Sequence, residues 1–189
     1  GAVESEFVRP LYSSEGLLPY RTLSPRRAVI PYDGSALFDS QSEQMQLYPG
    51  LGDWWARAES LWVKHRGKNR LSLLDQLDYR GKMRKQFPAG THRIAYTASG
   101  MHLAAARISD ARGVMNNSLY WANVSSVDEA IYLCAILNSA KMTEAVRPFM
   151  SYGKDERHFD LFVWRVSVPK FDRRNTTHKR LVLLGRTLE

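Results

Sequence analysis

The stretch SLYWANVSSVDEAIYLCAILNS, residues 118–139, changes character halfway along. Five of its first seven residues are apolar or aromatic, Val124 among them β-branched, the composition of a strand. Ser126 then stands three residues before Glu129. That spacing is a capping box, in which the serine accepts from a helix N–H and the glutamate reaches back. The pattern predicts a helix over 127–137, ended by Asn138-Ser139. Cys134, the only cysteine, lies inside its apolar run. It is expected to be a buried, inert thiol, and it cannot form an intramolecular disulfide.

Working outward, the other elements are interspersed. HRIAYTA and MHLAAARI read as strands at 94–97 and 101–108, joined through Ser99-Gly100. RAVIPYDG gives a strand at 28–32, and FVWRVSVP another, stopped by Pro169. Leu51, Trp55, Ala58, Trp62 and His65 follow helical spacing, with Trp54 and Leu61 widening the stripe. They predict a helix over 53–65 capped by Asp53, whose tryptophans form core. SLLDQL offers a short helix, residues 141–149 a longer one, and residues 176–184 a basic amphipathic one. Strands and helices without regular β–α alternation argue an α+β fold. The 189 residues suit one core. Residues 1–6 read as a tail and 7–189 as a single domain.

Charge is the unusual property. The formal net charge is +8, and it is unevenly spread. Residues 64–93 carry 9 basic and 2 acidic side chains, and residues 154–189 carry 9 and 5. Concentrated cations attract polyanions, nucleic acid first. A membrane fits less well. No apolar run approaches the roughly 18 residues of a spanning helix, and GAVESEF is not a signal peptide. A cytoplasmic protein without membrane contact is expected. Gly1 in place of an initiator methionine suggests a piece of a longer chain.

RGKMRKQF, residues 80–87, mixes Arg80, Lys82, Arg84 and Lys85 with a glycine that lets backbone approach a phosphate. Lys64, Arg66, Lys68 and Arg70 alternate upstream, Tyr79 and Phe87 flank the octet, and Arg93 follows. The cations among these, not the two aromatics, are candidate phosphate contacts. A second cluster, Lys170, Arg173, Arg174, Lys179 and Arg180, surrounds a helix start capped by Asn175 or Thr176, a geometry suited to phosphate.

A complete active site is not visible. His65, His92, His102, His158 and His178 lack metal-ligand spacing with one another or with cysteine. Gly50-Leu51-Gly52 lacks a preceding buried strand and reads as a turn ahead of a helix cap. Asp155-Glu156-Arg157 reads as a solvated loop. No catalytic residue, metal ligand or cofactor is assigned to this chain.

Taken in order, FVRPLYSSEGLLPYR, RAVIPYDG, LDYRGKMRKQF, YTASGMHLAAARI, the opening stretch and FVWRVSVPKFDRRNTTHKRL resemble a known family. It is the C-terminal target-recognition region of adenine-N6 DNA methyltransferases, as in the fused type IIG restriction–modification enzymes, with relatives in type I specificity subunits. The resemblance runs from Phe7 to about Leu184. It implies a mixed or antiparallel curved sheet with packed helices, and a double-stranded DNA partner. It also implies a covalently linked methyltransferase domain upstream, which would bind S-adenosylmethionine and carry an Asn/Asp-Pro-Pro-Tyr/Phe motif. That motif is absent here: no two of the eight prolines are adjacent. Base-reading residues vary with target in such domains, so none is transferred. RGKMRKQF would grip phosphate, and the AILNS helix and the helix after it would be scaffold or, as the alternative, an interdomain surface. Two other classes stay open. One is a small metal-dependent nuclease using Asp155, Glu156 and His158; the other is an RNA- or protein-binding module.

Overall fold

The stretch that opens the sequence reading folds as a strand, Leu119–Asn123, followed by a helix, Val127–Leu137. In the computed structural model, which describes residues 2–152 and 157–189, the protein is α+β, with small sheets and several helices. Its contacts divide it into two compact units. The first is Gly1–Pro10 with Arg27–Ala89, the second Leu11–Arg26 with Gly90–Glu189.

The second unit is built on an antiparallel sheet with Arg93–Thr97 in the centre, between Ala105–Ile108 and Leu119–Asn123. All five residues of the central strand are buried. Side chains alternate across a strand, so Ile94 and Tyr96 enter one apolar cluster and Ala95 enters another. The first cluster receives Ala130, Cys134 and Leu137 from Val127–Leu137, and Met142 and Val146 from Ala140–Val146. Cys134 is buried as expected, and burial pushes its thiol up to about 12.

The capping box is shifted by one residue. Ser126 accepts from the Glu129 N–H as predicted, but the Glu129 carboxylate accepts from the N–H and hydroxyl of Ser125. At the other end, Asn138 pairs with Ala105 through both ends of its amide, each at 2.8 Å. The AILNS segment is thereby tied to the edge strand of the sheet. The Thr176–Arg186 helix packs against Val127–Leu137 at close range. A Cβ on Gly185 would meet Ile131 Cγ2 at 2.5 Å, so only glycine fits.

Two strand expectations change here. Residues 101–108 form a strand only over Ala105–Ile108. FVWRVSVP is no strand, because Asp160–Arg165 is a 3-10 helix. The N–H groups of Phe159 and Asp160 both donate to the Ala98 carbonyl. The Tyr96 hydroxyl donates to the Asp160 carbonyl, which fixes the turn.

The first unit has a smaller core of Phe7, Phe38, Met45, Leu51 and Trp55. Its main helix is Pro49–His65, starting one turn before the predicted Asp53 cap. Free N–H groups at a helix start need acceptors, and Glu4 supplies them from far away in sequence. Its carboxylate accepts from Gly50 N–H at 2.9 Å and Leu51 N–H at 2.8 Å. Val3 packs on the core, so residues 2–6 are held in place where a tail was expected. Gly50-Leu51-Gly52 therefore lies inside the helix, with two of its donors filled. The expected strand at 28–32 is Arg26–Val29. Only Trp55 of the tryptophan stripe is fully buried, and Leu61 is exposed. Among the described residues no helix is long and apolar enough to cross a membrane.

Candidate nucleic-acid interface

The cations of residues 64–85 start at the end of a helix and continue along short turns. Lys64 lies in the last turn of Pro49–His65, where positive charge suits the helix dipole. The chain then reverses through Gly67 at φ 58°. Arg66 is half-buried: its guanidinium donates to the Leu71 carbonyl at 3.0 Å, beside the Trp62 indole N–H at 2.9 Å. Lys64, Lys68 and Arg70 point outward and are exposed.

Next comes the helix Leu73–Leu77, opened by a reciprocal capping box between Ser72 and Asp75. Asp78 follows and organises the basic octet. It is only 5% exposed. Its carboxylate accepts from the N–H of Met83 at 3.0 Å and of Arg84 at 2.9 Å, and pairs with Arg84 Nε. Around it the chain makes two 3-10 turns, Tyr79–Gly81 and Arg84–Gln86. Met83 and Gln86 turn inward, while Arg80, Lys82, Arg84 and Lys85 stay outside. RGKMRKQF is thus a braced double turn. Phe87, which closes it, is already stacked on Tyr32 at 4.1 Å, with the Arg9 guanidinium 4.9 Å from its centroid.

Seven of the eight cations between residues 64 and 85 are exposed. Both acids of that segment are engaged internally, Asp75 with Ser72 and Asp78 with Met83 and Arg84. With two acids against eight cations, and Asp78 buried beneath the turns, the surface charge is weakly opposed by its own neighbours. Beside these residues is a cleft of about 690 Å³, lined by Leu37, Leu71, Leu74, Tyr79, Arg80 and Arg84 among others. Arg80 sits there at φ 58°, a left-handed backbone that is unusual for arginine, followed by Gly81 at 69°. Its guanidinium lies 5.2 Å from the Tyr79 ring centroid. The local sequence marks this cleft only through Arg80-Gly81 following Tyr79.

Arg93 departs from the expectation that it contacts phosphate: it is 0% exposed. Its guanidinium donates to the carbonyls of Gly113 at 2.9 Å and Asp110 at 2.6 Å. Burial lowers its pKa, with the charges of Tyr12 and Asp110 acting in the opposite direction. It braces a loop within the second unit and does not face solvent.

In that unit Lys170, Arg173, Arg174, Lys179 and Arg180 are all exposed. The helix start they surround is already capped. Asn175 Oδ1 accepts from the N–H groups of Thr177 at 2.9 Å and His178 at 3.2 Å. His178 Nδ1 accepts from Asp172 N–H at 3.0 Å, and the Tyr132 hydroxyl donates to the Pro169 carbonyl at 2.9 Å. The expected phosphate site at these N–H groups is thus filled by side chains, leaving only the outward cations. Asp155 and Glu156 lie outside the described residues. His158 forms a short strand with Arg157. Among the described residues no three His, Cys, Asp or Glu gather as metal ligands. No family model and no curated protein matches the chain.

Proposed function

We propose that this chain is a double-stranded DNA recognition domain of an adenine-N6 DNA methyltransferase from a restriction–modification system. The observation that carries the reading is the braced basic surface of residues 64–85, where seven of eight cations are exposed and one of the two acids, Asp78, is buried as the brace. Exposed lysines and arginines bind phosphate through counterion release, and such contacts set register on a duplex. The sequence resemblance supports the narrower family. On this reading the fold is a target-recognition domain with a curved sheet, working in the cytoplasm. A linked methyltransferase domain supplies the S-adenosylmethionine site and takes the extruded adenine. This chain grips and reads the duplex.

The test is equilibrium binding of labelled mixed-sequence duplex DNA at several salt concentrations, with single-stranded DNA and duplex RNA as competitors. Selection from a random duplex pool follows. The reading expects salt-sensitive duplex binding, weaker competition by the other two, and enrichment of one short sequence. Preference for single strands or RNA would reassign the surface to the RNA-binding class.

A further inference from the structure

The cleft beside the octet differs chemically from the rest of the basic surface. Leu37, Leu71 and Leu74 give it apolar walls, and Tyr79 gives it a ring with the Arg80 guanidinium over it, 5.2 Å from the centroid. Arg84 adds a second cation: although its Nε is held by Asp78, its side chain is 73% exposed. The acids that also line the cleft, Asp75 and Asp78, are the two already engaged in the capping box and the octet brace. A volume of about 690 Å³ lies within the range of small-ligand pockets.

A paired base shows a protein only its edge. Apolar walls and an aromatic ring with a guanidinium over one of its faces suit a base face, which a nucleotide offers only when it leaves the stack. The two arginines suit the phosphates on either side of it. The left-handed Arg80 supports a role for its direction, since such backbone is costly for a non-glycine residue and tends to persist where it serves a site.

We propose that this cleft receives one unpaired nucleotide of a DNA strand, with its base against Tyr79 and the leucines and its phosphates on Arg80 and Arg84. The proposal rests on the duplex-DNA reading above and adds to it a second, base-holding subsite.

Three duplexes of one sequence test it: fully paired, carrying a single-adenine bulge, and carrying the same bulge as an abasic site. The abasic bulge has the flexibility without the base. Stacking of a base on an aromatic side chain is worth enough to change affinity about tenfold or more. The adenine bulge is therefore expected to bind about tenfold tighter than the abasic one. Two substitutions at exposed positions, Tyr79→Ala and Ala36→Trp, should erase that ratio, the first by removing the ring and the second by filling the cleft. Both should leave paired-duplex affinity and the circular dichroism spectrum unchanged. Equal affinity for adenine and abasic bulges, or a ratio untouched by both substitutions, overturns the cleft proposal while leaving the duplex reading in place. Failure to bind any duplex at low salt overturns both. Competition by free deoxyadenosine monophosphate as strong as that of the bulged duplex assigns the cleft to free nucleotides and also overturns it.

Discussion

Two basic regions of this protein have similar composition and opposite construction. Residues 64–87 carry cations on turns braced by one buried carboxylate, that of Asp78. Residues 168–180 carry theirs on a loop entering a helix, held by the Asn175 amide, the His178 ring, the Tyr132 hydroxyl and an exposed carboxylate, that of Asp172, which accepts from the Arg174 N–H. The first region adjoins a cleft and contains a left-handed arginine. The second presents a capped helix start with its donors filled. Density of positive charge in a sequence therefore does not say what surface it makes. That depends on which buried group holds the backbone and on what remains unfilled beside it.

The contrast can be broken at its braces. Asp78→Ala removes the acceptor of two backbone N–H groups and the partner of a guanidinium. Unmet buried donors cost about 1–3 kcal/mol each, so urea melts should show a loss of about 3 kcal/mol, together with a collapse of duplex affinity. Asn175→Ala removes only an N-cap and should cost about 1 kcal/mol. Equal losses at the two positions would mean that the regions are braced alike.

Next in size is Arg93→Met. It strips two carbonyls of a charged donor and should cost about 2 kcal/mol with no change in the salt dependence of DNA binding. A reduced salt slope would return Arg93 to the interface. Arg80→Gly sharpens the comparison in the other direction. Glycine relieves the left-handed backbone but adds chain entropy to the unfolded state. Stability should stay within about 0.5 kcal/mol of the parent, while duplex affinity falls.

The smallest effect is at Glu4. Hydrogen bonds from its own backbone N–H, and from Gly50 and Leu51 against a desolvation penalty, hold its carboxyl below the usual value of 4.5. A lowered folded-state pKa gives stability that is present above the ordinary carboxylate value and is lost as pH falls through the folded value. Glu4→Gln should therefore flatten the acid limb of the stability–pH curve and leave the neutral-pH DNA affinity unaltered. An unchanged acid limb would show that the Pro49–His65 helix does not depend on this cap.

Elements fixed by local chemistry were legible in the sequence. Val127–Leu137 has the predicted bounds because its cap and its apolar run are adjacent in the chain. Elements decided by distant partners were not. The Pro49–His65 helix starts early because its acceptor sits 46 residues upstream of Gly50. Arg93 is buried because its carbonyl partners lie 17 and 20 residues away, across a loop that composition does not bring close. The alternation in FVWRV mimics a strand. The structure uses it as a turn in which Val163 alone is fully buried. At the candidate interface the cations were readable as charge density. The Asp78 brace and the cleft were not, since the cleft forms only where residues 35–37 meet residues 71–84 in space.

The central claim is that the braced octet holds duplex phosphates. Lys82 and Lys85 test it most directly, because both are exposed and neither braces the turn. The measurement is duplex affinity against salt for the parent and for the Lys82→Ala/Lys85→Ala double variant, with folding checked by circular dichroism. Each phosphate contact contributes about −0.9 to the slope of log affinity against log salt. The account predicts a slope shallower by roughly one to two units, equal for all duplex sequences because phosphates carry no sequence information. An unchanged slope in a folded double variant would contradict it.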